Sequence, residues 1–226
     1  MRFLSIIYLI VLPILSYGQH FYRVEADFTI KEKINDSLSQ LTIGRVYYDQ
    51  NRESLLYDVS FPSPQIWFLS DSNFYRISDE DSINRQTISP LTVQSSVFHM
   101  VLADQLGNFG LSDSLFTKAG TVNQGGMIIT TLEPLPKYEP YLGRVLISRK
   151  GKLVQGVIIM DPAGEVASKQ FYRDYDLSGG LPFPQEIVQF SYQYGKQISV
   201  RITTFENIQF NAEDTHQRYH YQLPAQ

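Results

Sequence analysis

The stretch RVLISRKGKLVQGVIIMDPAGEVASKQFYRDY, Arg144 to Tyr175, reads as three strands and two turns. Its segments Arg144 to Arg149, Leu153 to Met160 and Val166 to Tyr175 are joined by Arg149-Lys150-Gly151-Lys152 and Asp161-Pro162-Ala163-Gly164. Neighbouring side chains of a strand point to opposite faces. The middle strand therefore puts Leu153, Val157 and Ile159 on one face and Val154, Ile158 and Met160 on the other. Antiparallel hairpins usually wet one face. With both faces apolar, one can be the core and the other needs a cover: helices, a partner or an apolar ligand.

The same alternation extends outward in both directions. From His20, apolar Tyr22, Val24, Ala26, Phe28 and Ile30 interleave with Arg23, Glu25, Asp27, Thr29 and Lys31, the period-2 pattern of a half-buried strand. Asn35-Asp36-Ser37 turns the chain; it matches a glycosylation acceptor, but the same residues are ordinary turn formers. Strands follow at Leu41 to Tyr48, through Leu55, Tyr57, Val59 and Phe61, at Ile66 to Leu69 and Phe74 to Ile77, with a short one around Ile83 to Ile88. Ile66 to Leu69 is also apolar on both faces, with Trp67 and Leu69 opposing Ile66 and Phe68. After Gln124-Gly125-Gly126, strands resume at Met127 to Glu133 and end with Ile187 to Tyr194 and Ile198 to Phe205.

One segment changes period. Val97, Phe98, Val101, Leu102 and Leu106 fall at helical spacing, with Ser95 or Ser96 to cap the start and Gly107 to end the helix. Roughly ten strands, short turns and one helix predict a mainly β (α+β) fold. Its form is a strongly curved antiparallel sheet or a two-sheet sandwich, and a curled sheet leaves a concave side for the helix to plug.

The 226 residues suit one domain, since no linker or charge block divides them. Arg2, the apolar run Phe3 to Leu15 and Ser16-Tyr17-Gly18 have the form of a signal peptide over residues 1–18. Cleavage after Gly18 leaves a single domain over residues 19–226, a soluble exported chain. The run is shorter than the ~20 residues that span a bilayer. The chain has no cysteine, which excludes disulfides, thiolate metal sites, thiol nucleophiles and a lipid-bearing cysteine. Net charge is -4 with scattered basic residues, so no nucleic-acid partner is expected.

Signatures of chemistry are missing. There is no Gly-x-Ser-x-Gly, Gly-x-x-x-x-Gly-Lys, His-Glu-x-x-His or Gly-x-Gly-x-x-Gly, so neither an enzyme nor a cofactor is expected. His216 and His220 have a chelating i, i+4 spacing but sit in a polar segment that reads as a surface tail. Asp79-Glu80-Asp81 reads as a solvated hairpin tip rather than a cation site. His99 reads as a satisfied or surface histidine of the helix.

From about Ala26 to Pro224, the order of segments resembles that of the LolA-like outer-membrane lipoprotein carriers. The stretch Gly143 to Tyr175 carries most of the likeness. Asn51 to Pro62 is similar to the family's basic turn, aromatic strand and proline; Leu181-Pro182-Phe183-Pro184 and Tyr221-Gln222-Leu223-Pro224 resemble later landmarks. Two departures stand out: His20 enters a strand with no preceding helix, and Glu53 follows Arg52 where the family commonly has proline. The resemblance implies an incomplete antiparallel barrel, a helical lid over Val97 to Leu106 and an apolar cavity. It also implies a functional rim arginine at Arg52 and inward-facing Leu55, Tyr57 and Val59. Trp67, Val157, Ile159, Phe98, Val101 and Leu102 complete the expected acyl-chain lining.

A non-catalytic periplasmic carrier of lipid or lipoprotein acyl chains is one reading, with a membrane-bound donor or acceptor protein as partner. A protein-interaction or sensing module of the same fold is the other.

Overall fold

The computed structural model describes residues 20–35, 38–70, 72–78, 83–89, 91–212 and 214–223. The expected signal peptide at residues 1–18, Asp36 and Ser37 of the first turn, and the acidic trio Asp79 to Asp81 lie outside them. Among the described residues thirteen strands make one antiparallel sheet. The first half contains β1 (Arg23–Ile34), β2 (Leu38–Asp49), β3 (Ser54–Phe61), β4 (Gln65–Ser70), β5 (Asn73–Ser78) and β6 (Ile83–Thr87). The second contains β7 (Phe116–Gln124), β8 (Met127–Pro134), β9 (Val145–Lys150), β10 (Leu153–Met160), β11 (Val166–Asp176), β12 (Phe183–Gln193) and β13 (Lys196–Phe210).

Each half is a meander of sequential hairpins, and β1 paired with β13 fuses them. That pairing runs from Val24 opposite Phe210 to Ile34 opposite Ser199. β6 and β7 are left as the two edges, so the sheet is open. The chain between them must travel from one edge to the other. It does so across the concave face, as α1 (Leu91–Gln94), α2 (Val97–Leu102) and a 3-10 turn at Leu106–Asn108. The cover is thus a consequence of topology.

β7 departs from the sequence reading, which placed no strand between the helix and Met127. Residues 117–124 are exposed, so no burial imposes an apolar period on them, and the pairing with β8 alone makes them a strand. The helix is also shorter than the expected Val97 to Leu106. Ser96 caps α2 by accepting the His99 N–H at 3.2 Å. Asp104 then takes left-handed φ 53°, while the Gln105 N–H bonds Met100 O at 2.7 Å and the Asp104 N–H bonds Val101 O at 3.2 Å. This is a Schellman closure with an aspartate in the position that glycine usually holds. Among the described residues no helix is long and apolar enough to cross a membrane.

The inner face carries the main core: Val24, Ala26 and Phe28, Val46 and Tyr48, Leu55 and Val59, Val145 and Ile147, Phe183 and Phe205, closed by Val93, Val97, Phe98, Met100 and Val101. β10 corrects the simple alternation. Val154 pairs with Arg149 and Gly156 with Ser148, so Gln155 is an inserted residue, and a bulge of this kind shifts the following side chains by one face. Val154 therefore joins Val157 and Ile159 on the core side, and Ile158 remains opposite.

The second apolar face of β4 has a different cover. Ile66 and Phe68 pack with Tyr47, Leu56, Tyr219 and Tyr221 on the outer side. The C-terminal segment, with α3 (His216–Tyr219), lies there. It is a packed strap and not the free surface tail its polarity suggested.

Candidate functional site

The concave face under the helical cover is the candidate site, and Phe98 is its centre. Its ring stands 5.3 Å from Phe205, 5.6 Å from Phe183 and 6.4 Å from Tyr48. A six-residue helix cannot hold itself together in water; this aromatic seat and the Ser96 cap hold it. Tyr48 and His99 add a partly buried hydrogen bond of 2.7 Å between hydroxyl and Nδ1. Burial raises the Tyr48 pKa and lowers that of His99, with Glu53 partly offsetting the latter. His99 is thus a satisfied histidine, and its partner is one that sequence distance concealed.

All nine residues expected to line a cavity lie in one apolar cluster. Leu55, Val59, Phe98, Val101 and Val157 are buried in it, and Tyr57, Trp67, Leu102 and Ile159 pack against it. Tyr57 sits 5.1 Å from the Phe28 ring and 6.0 Å from Trp67. Burial pushes its hydroxyl pKa up to about 12, with Arg201 opposing. The Trp67 indole N–H donates to Gln65 at 2.9 Å.

Open space lies between the cover and the strands β9 and β10. One hollow of about 600 Å³ is bounded by Met100, Val101 and Leu106 of the cover and by Arg149, Leu153 and Val154. A second, of about 430 Å³, lies at the opposite end of the same strands, between Phe109, Leu111, Leu115 and Val145, Ile159, Met160. Of the nine expected residues, Val101 touches the first and Ile159 the second. The lining expected from sequence runs from β3 and Trp67 to β10 and the cover, and the two hollows open at its β10 and cover end, while Phe98 packs among Tyr48, Phe183 and Phe205. Met100 and Leu106 carried a usable signal, since both belong to the apolar run of the cover.

Arg52 is exposed in the turn after β2, its N–H donating to Asp49 Oδ1 at 3.2 Å. Beside it lies a polar cluster. Arg23 donates from Nε to Asp49 at 2.7 Å, and its other nitrogens lie 3.0 Å from His216 Nδ1 and 3.3 Å from His220 Nε2. Glu25 receives Arg45 at 2.7 Å, the Tyr219 hydroxyl at 2.9 Å and the Thr215 hydroxyl. Both imidazoles are therefore engaged with a guanidinium. Among the described residues no group of three His, Cys, Asp or Glu side chains is placed to hold a metal ion.

No family model matches the sequence, and no curated protein matches it. Solved structures do. A LolA superfamily protein from Nitrosomonas europaea is 11% identical, with a TM-score of 0.56 over 85% of this chain and 87% of its own. A DUF1329 family protein from Desulfovibrio piger is 11% identical, with a TM-score of 0.61 over 89% of this chain and 90% of its own. A domain from Vibrio parahaemolyticus, named as an outer membrane lipoprotein-sorting protein, is 10% identical, with a TM-score of 0.59 over 89% and 90%. Identity this low speaks to architecture alone, and together with the open thirteen-stranded sheet and its helical cover it shows that the chain has the LolA-like fold.

Proposed function

We propose that the protein is an exported, non-catalytic periplasmic carrier that holds lipid or lipoprotein acyl chains beneath its helical cover, in sorting lipoproteins to the outer membrane. One observation carries this reading: a short cover lies across an apolar inner face and leaves a hollow at each end of β9 and β10. Widening either hollow needs movement of only a few short helical segments, whereas the sheet beneath is tied by its ladders. Each methylene buried would contribute ~0.8 kcal/mol, enough for one chain to bind usefully. The lipoprotein-sorting name of the Vibrio domain supports the same reading.

Native mass spectrometry of protein purified without detergent tests the proposal. A lipid mass that disappears on solvent extraction is expected; a bare chain that also ignores an apolar fluorescent probe would overturn the carrier role. Cleavage after Gly18 is part of the proposal and is checked by N-terminal sequencing of the periplasmic fraction. Arg52 is proposed as the rim residue that meets the acidic patch of a membrane-bound partner. Arg52→Leu should keep stability within about 0.5 kcal/mol while cargo hand-over fails, and normal transfer would remove that role.

A second reading rests on β7. It is an edge strand whose residues 117–124 are exposed, so a partner's peptide could add to it as a fourteenth strand. Slower hydrogen exchange in β7 on adding a partner would favour this module over the carrier.

A further inference from the structure

The inner face of β9 reads Val145, Ile147, Arg149. Two aliphatic side chains are followed, on the same face, by a charge. Most other arginines whose partners are seen have an acid: Arg23 with Asp49, Arg45 with Glu25 and Asp27, Arg144 with Glu133, Arg173 with Glu186, Arg201 with Glu32, Arg218 with Asp58. Arg149 differs. Among the described residues no hydrogen bond or ion pair reaches its side chain, and its Nε is shut off from water without a partner. Its Nη1 lies under the cover, 3.7 Å from where a Cβ on Gly107 would stand.

This guanidinium borders the hollow of about 600 Å³, a size within the ~300–1,000 Å³ typical of small-ligand sites. Met100, Leu106 and Leu153 supply apolar wall, while Lys152 on the β9–β10 turn adds a second positive charge. Asp104 also borders the space, but no ion pair joins it to Arg149. An apolar chamber with an unpaired arginine inside and a lysine at its mouth has the chemistry of an anionic amphiphile. The planar fork of arginine donates two parallel hydrogen bonds to a carboxylate or to phosphate oxygens; the walls accept the chain.

We propose that this hollow is the cargo's head-group site, with Arg149 receiving the carboxylate or phosphate oxygens of an acyl amphiphile and Lys152 assisting at the mouth. The proposal rests on the carrier reading and narrows it from any acyl chain to acidic amphiphiles.

The test measures binding of palmitate (head and chain), hexadecanol (chain alone) and inorganic phosphate (anion alone) to the full chain. Palmitate should bind more tightly than hexadecanol, and only palmitate binding should weaken as salt rises, because screening acts on the charged head. Arg149→Gln should weaken palmitate about tenfold and leave hexadecanol unchanged, while Arg149→Lys restores part of the loss. Lys152→Gln, on an exposed turn, should weaken palmitate by a smaller factor and keeps the test alive if Arg149→Gln misfolds. Palmitate and hexadecanol bound equally, with no salt dependence and no effect of either substitution, would overturn the head-group site and leave the carrier reading standing. Failure of both chain probes to bind the parent would overturn both. Inorganic phosphate that displaces palmitate and binds as well as it would reassign the hollow to free anions and reject the amphiphile.

Discussion

Gly44 shows how one residue can be required by backbone geometry. β2 and β3 slip register between Ile43 and Gly44, which brings the β3 backbone over Gly44. A Cβ there would collide with Asp58 O and stand 2.9 Å from Val59 Cα. Gly44→Ala should therefore destabilise the protein by about 1–3 kcal/mol, read from the urea midpoint, and an unchanged midpoint would mean that the strands adjust freely. Arg23 is a second case. Its side chain is 10% exposed and that of Asp49 is 2% exposed. Removing one partner of a buried pair costs about 3–5 kcal/mol. Asp49→Ala is expected to fall in that range, with a loss below 1 kcal/mol marking the pair as solvated.

At the scale of elements, the C-terminal strap is the informative piece. It covers Tyr47, Leu56, Ile66 and Phe68, is anchored through Arg218 to Asp58 at 2.9 Å, and brings His216 and His220 to Arg23, their rings 4.3 Å apart. The His220 pKa is lowered, first by desolvation and then by Arg52, His216 and Arg23, with Asp49 opposing. His99 on α2 is lowered as well, by burial. A depressed histidine binds fewer protons folded than unfolded, so stability rises with pH across that interval. The contribution is full above the ordinary value of 6.5 and is lost as pH falls to the lowered folded values. Urea midpoints should thus drop on moving from above to below pH 6.5, and His220→Gln should flatten part of the slope. A flat profile for the parent would show that neither histidine is held neutral by the fold.

For the whole molecule, the topology sets a gradient of stability. β1, β2 and β13 are central and joined by long ladders, while β6 and β7 are edges. Exposed ladders open first. Hydrogen exchange should therefore be slowest at Val24 to Phe28 and Thr203 to Phe205, and fastest in residues 117–124. Equal protection throughout would mean that the sheet unfolds as one unit. On the carrier proposal, the cover is the part that cargo would move. Leu102→Glu puts a charge on its partly buried edge and should weaken binding of an apolar probe about tenfold, or roughly 1.4 kcal/mol; unchanged affinity in a folded variant would place the probe elsewhere.

The primary sequence by itself determined the strands, the turns and the need for covers. Alternation along Tyr22 to Ile30 and Ile187 to Tyr194, and turn residues such as Arg149-Lys150-Gly151-Lys152, act through side-chain direction and local backbone sterics. So does the helical spacing of Val97, Phe98 and Val101. The two faces of Ile66 to Leu69 required two covers, but nothing local says which segments supply them. Only the tertiary structure decided that Trp67 and Leu69 pack against the main core and that Tyr219 and Tyr221, some 150 residues away, take Ile66 and Phe68. It also decided that Gln155 is inserted in β10, which turns Val154 inward, because a bulge is defined by the partner strand and not by the residues that carry it. The hollows belong to the same class. Phe98 packs among Tyr48, Phe183 and Phe205, and room is left over β9 and β10, where Arg149 stands unpaired among the described residues. Where space remains depends on how all the side chains of a concave face divide its volume, which no single strand encodes.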